Sequence, residues 1–499
     1  ILVEGSDKIL HAITNNIPFK VVNLENIRLE QNTGYGGKLR VNLNLLCKGL
    51  TLSSSIKSLT FRECLFDSAP VESAQCLGRL LQTHPTLEYI NLGNTLYSEG
   101  FEYFFAGLIH NTTLKRLDMR HIDVSEIASV TLREALRVNK TLEELNLAGS
   151  KFATFKALDN VVDAIGLSTS LKKLSLSHVK NRSADDDDEE IVTQSATSGD
   201  QTLELPMKRK SNFEQEGEPL KKKHKIENSN TNRKDAHEED KEVRHDRSIE
   251  HKLRDALIRN KSLSQLNLSL SEIFPVFGEI LERNQSLTSL EFSECDIASV
   301  FAVQEISNAL KINKTLCSFT SYGCYGLADI WQETKFDALT LNTTLTKLGL
   351  GGDSLSIEAS ESLLEALKHN TTLQSLDLSA CDLAEEQCCQ LREFLSTNHS
   401  LTELEIFGSI DLAQGMFEPL LVNTSLRRLE FGGNRLSVDE SQRLSEMLQA
   451  NHSLQYLRLS DTAIDDNDAS WIAAGLRMNC GLTALDMSYN HISARGMKE

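Results

Sequence analysis

Leu426 to Leu436 reads LRRLEFGGNRL, with large apolar side chains at its first, fourth, sixth and eleventh places (Leu426, Leu429, Phe431, Leu436) and Asn434 at the ninth. The frame LxxLxLxxNxL recurs at Leu454 and Leu482 and, going backwards, at Leu401, Leu373, Leu345, Leu316, Leu287 and Leu263. Beyond a gap it returns at Leu171, Leu142, Leu114, Leu87 and Ile56, and a weaker copy begins at Leu24. Most steps are 27 to 29 residues, with shorter ones of 24 and 25, so fourteen clear copies share one period. A fixed period of this length predicts a chain built by stacking one supersecondary unit, not by folding around a single globular core.

Each unit has two halves. The first alternates apolar and polar places with period two, which predicts a short strand with its leucines inward and its x places on an exposed face. The second is helical: Leu444, Met447 and Leu448 fall at i, i+3 and i+4, Leu363, Leu364 and Leu367 repeat the pattern, and Ser437 with Glu440 predicts a capping box. A helix is wider than a strand, so stacking puts parallel strands on an inner rim and helices on the outer one. The expected fold class is α/β: a horseshoe solenoid with a concave parallel sheet and convex helices, interrupted by one disordered insert. Residues 1–55 are divergent and irregular, with a helix expected to end near Asn16 and a glycine-rich turn at Gly34, Gly36 and Gly37. Residues 56–180 and 249–499 are repeats, the last one truncated, and residues 181–248 are the charged insert.

Each helical half tends to close on Asn, followed two places later by Ser or Thr and then by the leucine of the next strand, as at Asn111, Asn139, Asn260, Asn284, Asn313, Asn342, Asn370, Asn398, Asn423 and Asn451. These triplets are formally glycosylation sequons. The expectation is architectural: asparagine tolerates the left-handed backbone that ends helices, and its amide can satisfy backbone groups in the turn. With its NxTLxxLxL junction and long helical half, the chain resembles the ribonuclease-inhibitor-like class of leucine-rich repeats. That class includes the inhibitor itself, the Ran GTPase-activating protein and the C-terminal arrays of NOD-like receptors. The resemblance covers residues 56–180 and 249–499 and implies a leucine-rich repeat solenoid. It opens two functional alternatives to a plain scaffold: a regulator of a Ran-like small GTPase, and the sensor array of a NOD-like receptor without its nucleotide-binding domain.

Seventy-one acidic against fifty-two basic residues give a formal charge of -19. So acidic a surface repels phosphates, and nucleic acid is not an expected partner. The ten cysteines follow no secreted disulfide pattern. Cys295, Cys324 and Cys381 stand at the ninth place of their frames, and the adjacent Cys388 and Cys389 have no partners at metal-ligand spacing. A reducing intracellular compartment, nucleus or cytoplasm, is expected. No apolar run approaches the roughly 18 residues that span a bilayer. There is no GxSxG, HExxH or paired CxxC, and Asp465–Asp468 lacks the glycine and distal glutamate of a calcium loop, so it reads as a helix start. Neither enzymatic activity nor a cofactor or metal is expected. The chain opens at Ile1 and stops at Glu499, a few residues into the helix of its last repeat, which reads as a fragment of a longer protein.

The frame at Leu171 breaks after LKKLSLSHV, and the next begins 92 residues on, where about 29 were due. The extra stretch holds an acidic run from Asp185 to Glu190 and few large apolar residues, a composition that predicts disorder. It also holds Lys208, Arg209 and Lys210 and, after ten intervening residues, Lys221, Lys222, Lys223 and Lys225, with Pro219 just ahead. This pair of clusters resembles a bipartite nuclear localisation signal, which implies an importin as partner and entry to the nucleus. The competing reading is a solvated charge run.

The place between the fourth and sixth of each frame projects from the exposed strand face. Along the array it carries Asn91, Asp118, Asn146, Ser175, Asn267, Glu291, Thr320, Gly349, Asp377, Glu405, Glu430, Arg458 and Asp486. The later part reads as an acidic stripe broken once, by Arg458. Neighbouring outward places add Tyr322, Phe407, Tyr456 and Tyr489, aromatic groups of the kind that anchor interfaces. The expected protein-binding residues are Asp118, Glu291, Tyr322, Asp377, Glu405, Phe407, Glu430, Arg458, Asp486 and Tyr489, docking a basic or mixed protein partner on the concave face. The alternative is a strand face that is polar only because it is wet.

Overall fold

The computed structural model describes residues 20–23, 47–61, 70–95, 99–177, 180–181, 249–268, 276–295, 300–324, 336–408 and 415–498, apart from positions 48, 52, 353–354 and 382. The helix expected near Asn16, the glycine turn at 34–37, the acidic run and both basic clusters lie outside the described residues.

Period-two alternation becomes a strand in every clear frame. The fourth-place residue is buried, as with Leu376, Leu404, Leu429 and Leu457, and its two neighbours face outward. Fifteen such strands form one parallel sheet in sequence order, from Val21–Asn23 to Ala484–Asp486. Fourth places pair with fourth places, as in Leu376 with Leu404 and Leu429 with Leu457, because a slip of one residue would turn every leucine to solvent. Strand Lys173–Leu176 pairs directly with Gln265–Leu268, so the sheet passes the insertion point unbroken. A second, three-stranded parallel sheet joins Asp123–Val124, Lys151–Phe152 and Lys180–Asn181, just after the strands of three successive frames; the alternation pattern gave no sign of it.

The first described strand is Val21–Asn23, with Val22 opposite Leu59, a fourth-place residue. The weaker copy expected to begin at Leu24 lies outside the described residues.

The helical halves supply the rest of the core. Glu126–Val138, Phe155–Leu167, Ile357–His369, Glu385–Thr397 and Val438–Ala450 are 13-residue helices. Ser125, Thr154, Ser356 and Ser437 each cap one of them, accepting from the N–H three residues on at 3.1 to 3.3 Å. Asp465 likewise accepts from Asn467 N and Asp468 N, so Asp465–Asp468 does open a helix, Asp466–Leu476. The expected capping box at Ser437 forms only by half. Glu440 is 3% exposed and turns away, its Oε1 accepting from Gly415 N at 2.6 Å, because that amide needs a partner and lies within reach. Nor are all units alike: Asp337–Leu341 is five residues long, and Pro419–Leu421 and Gly496–Lys498 are single 3-10 turns.

The junction asparagines are buried latches. Asn139, 2% exposed, donates through Nδ2 to Leu108 O and Asn111 O at 2.9 Å, and its Oδ1 accepts from Thr141 N and Leu142 N at 2.9 and 2.8 Å. Asn370 and Asn451 do the same in their own repeats. Their backbones are extended, φ -64 at Asn139 and -86 at Asn370 and Asn451, which corrects the left-handed expectation. What selects asparagine here is a planar amide that ties one repeat's turn to the preceding repeat's helix end. A side chain so enclosed has no free nitrogen for a sugar. The cysteines of the ninth place follow the same logic: Cys381 Sγ lies 3.2 Å from Leu350 O, where Asn434 Nδ2 donates to Ile406 O at 2.7 Å. Cys295, Cys324 and Cys381 are all buried.

Candidate protein-binding surface

Register turns the list of outward places into a row. Asn91, Asp118, Asn146, Ser175, Asn267 and Glu291 are successive partners across the sheet, and so are Thr320, Gly349, Asp377, Glu405, Glu430, Arg458 and Asp486. Neighbouring strands lie about 4.8 Å apart, so these side chains can touch along the whole row.

Several of them have a second task. Asn91, Asp118, Asn146, Asp377 and Asp486 each accept, through one side-chain oxygen, from the backbone N–H two residues on, at 2.8 to 3.2 Å. This Asx turn leads the chain out of the strand and explains short polar residues at this place without any ligand. Asp118 is nearly buried besides, and Arg120 grips it at 3.0 and 3.1 Å. Glu291, Glu405 and Glu430 make no such turn.

Arg458 is not a break in an acidic stripe. Its guanidinium lies 3.3 Å from Glu430 Oε2 and 3.4 Å from Asp486 Oδ2, and stacks 5.1 Å from the centre of the Phe407 ring. Arg428, stacked 3.7 Å over Tyr456, pairs with the other oxygen of Glu430. The C-terminal end of the stripe is therefore largely neutralised from within. Among the described residues Glu405 makes one ion pair, with Lys347 at 3.8 Å, and burial, reinforced by the charge of Asp377 beside it, holds its carboxyl above the usual range. Asp486 is held below the usual range by the Ser488 hydroxyl and backbone amide.

The aromatic groups divide into two kinds. Phe407 lies on Gly432 and Tyr322 on Gly351: a Cβ on either glycine would come within 2.6 and 2.9 Å of the respective ring. The paired glycines of LRRLEFGGNRL are thus the seat of a ring from the preceding repeat. Tyr322 stays half-exposed, whereas Tyr489 is 84% exposed.

A model of the family described as Leucine Rich repeat matches residues 369–386, 450–473 and 479–499. The fold is a leucine-rich repeat solenoid. An internalin from Listeria monocytogenes, known from its crystal structure, is similar to it at 15% identity over 84% of each chain, with a TM-score of 0.37. No curated protein matches its sequence.

The N-terminal repeats of this leucine-rich repeat array carry a groove of about 370 Å³ that the stripe reading missed. It runs over the strands from Tyr89–Asn91 to Ser289–Ser293 and is lined by Tyr89, Arg116, Glu144, Lys173 and Gln265 as well as the stripe residues Asp118, Asn267 and Glu291. The missed residues occupy the third place of the frame, which faces outward as the fifth does; reading both columns would have found them. Lys173 pairs with Glu144 at 3.2 Å and Arg116 stacks on Tyr89 at 4.9 Å, so this half is a mixed, self-paired surface. Among the described residues no three His, Cys, Asp or Glu side chains gather to hold a metal ion, and no helix is long and apolar enough to cross a membrane.

Proposed function

We propose that this chain is a non-enzymatic scaffold that captures a protein partner on the outward face of its sheet. The observation that carries the reading is the register, which sets thirteen outward positions, all but Gly349 bearing a side chain, in one row, with exposed or stacked aromatic groups beside it. A leucine-rich repeat array offers such a row as a long, rigid surface on which partner contacts add without reorganisation. The test is the triple variant Asp377→Lys, Glu405→Lys, Glu430→Lys in a pull-down identified by mass spectrometry, with circular dichroism to verify folding. Loss of capture is expected; unchanged capture by a folded variant rejects the face.

The 13-residue helices and latching asparagines support placing these repeats in the ribonuclease-inhibitor-like class. No described residue favours the small-GTPase regulator or the receptor-array reading over the scaffold. Entry to the nucleus by importin recognition of Lys208–Lys210 and Lys221–Lys225 rests on the spacing of those clusters alone. Imaging a fusion with Lys221, Lys222 and Lys223 changed to Ala tests it; an unaltered distribution removes that part of the proposal.

A further inference from the structure

The acidic row is neutralised unevenly, and the exception falls at one place. Glu430 is held between Arg428 and Arg458, and Asp486 shares Arg458. Asp377 and Glu405 are direct partners in register, and among the described residues the cation within ion-pair distance of them is Lys347, whose side chain is 41% exposed and ends 3.8 Å from Glu405 Oε1, while Arg428 acts on Glu405 from further off. To reach Glu405, the lysine must cross the strand Ser375–Asp377, which lies between its own strand and that of Glu405. Ser375 stands opposite Lys347, is only 6% exposed, and its Oγ has no hydrogen-bond partner. Alternation along the strand puts Ser375 on the same face as Asp377, so an unbonded hydroxyl lies on the side of the sheet that bears the acid pair, one register step from it. Asp377 gives Oδ1 to the Ser379 N–H, and no cation among the described residues reaches its other oxygen. A buried hydroxyl without a partner and two adjacent carboxylates sharing one distant lysine both cost stability in the free protein. One incoming cation with several donors would relieve both.

We propose that Asp377, Glu405 and Ser375 form a socket for an arginine side chain of the protein partner, with Lys347 as its loosely held internal occupant. The socket rests on the scaffold reading above. A guanidinium suits it better than an ammonium, because a planar fork of five donors can bridge carboxylates on strands about 4.8 Å apart and still reach a hydroxyl. Gly349, in register beside Asp377, brings no side chain of its own, and the Thr320 side chain packs over it. Tyr322, seated on Gly351 two residues further along, offers a half-exposed ring on which a guanidinium can stack. Lys347 returns to water at little cost, since a pair so exposed and so long contributes little.

The test uses fluorescent hexa-arginine and hexalysine peptides, read by anisotropy at one fixed salt concentration against the full chain. Asp377→Asn with Glu405→Gln keeps the shapes and the turn to Ser379 and removes both charges. Asp439→Asn with Glu446→Gln, on an exposed helix face, changes the net charge equally and serves as control. Hexa-arginine is expected to bind more tightly than hexalysine, and the socket variant to weaken it roughly tenfold, the scale of one charge-assisted hydrogen bond, while the control changes it less than about twofold. Lys347→Ala is expected to tighten binding beyond what the exposed Lys261→Ala does. Equal affinity for the two peptides, equal weakening in the control, or no difference between the two lysine variants overturns the socket. The triple charge reversal is read by partner capture, so the scaffold reading stands or falls independently of these affinities.

Discussion

Asn139→Ala removes one latch and tests whether the junction asparagine holds consecutive repeats together. The carboxamide makes four hydrogen bonds at 2.8 to 2.9 Å, two donated to carbonyls of the preceding repeat and two accepted from its own turn, on a side chain 2% exposed. At about 1 kcal/mol net for each neutral bond the loss is roughly 4 kcal/mol, and alanine offers no substitute partner. Urea unfolding followed by circular dichroism measures it, with Lys140→Ala on the same turn as an exposed comparison. Because each repeat contacts only its neighbours, hydrogen exchange should quicken in the repeats that begin at Leu87 and Leu114 and in the turn into Leu142, and stay unchanged beyond Leu345. Asn139→Asp separates the donors from the acceptors. It keeps an oxygen for Thr141 N and Leu142 N but turns the other, charged, toward two carbonyls. That favours the protonated form in the folded state and raises its pKa above the unfolded value near 3.9. The folded state then binds more protons, so the Asp variant is weakest near neutral pH and recovers stability as pH falls through the raised folded pKa. A cost under about 1 kcal/mol for Asn139→Ala, or exchange that quickens uniformly along the chain, would refute the latch.

At the junction before Leu87 the asparagine is replaced by His84, which is 3% exposed and accepts from Thr86 N at 3.3 Å. Burial, outweighing the pull of the Leu50 carbonyl, depresses its pKa below 6.5, so stability should be lost as pH falls below that value. His84→Asn is expected to stabilise by about 1 kcal/mol and to flatten that loss in melting curves between pH 7 and 5. Gly107→Ala would put a Cβ 2.2 Å from Gly78 O, where helices Pro70–Thr83 and Phe101–His110 meet backbone to backbone, and should cost about 2 to 3 kcal/mol in urea unfolding. Gly408→Ala has open space around its Cβ but a φ of +63, so it should cost only about 1 kcal/mol; a ranking opposite to this would contradict the helix contact. Phe277→Ala, which removes a fully buried ring 5.2 Å from Phe292, is expected to cost about 3 to 5 kcal/mol by the same assay.

The leucine period, the strand–helix alternation and the identity of the outward fifth-place residues were all legible in the sequence. Each depends on which face a residue occupies, and facing is fixed by local periodicity of 2 or 3.6 along a single stretch of chain. Tertiary structure alone decided what those side chains touch. Arg458 looked like an interruption because its partner Glu430 lies 28 residues away, one strand over, and only pairing brings the two within 3.3 Å. Asn139 looked like a helix terminator because half of its bonds go to a carbonyl 31 residues earlier and another 28 earlier. Glu440 left its cap for the Gly415 amide, 25 residues earlier in the chain. Periodicity fixes direction, whereas contact depends on the reach of side chains from repeats that the sequence separates by about a full period and the sheet separates by about 4.8 Å.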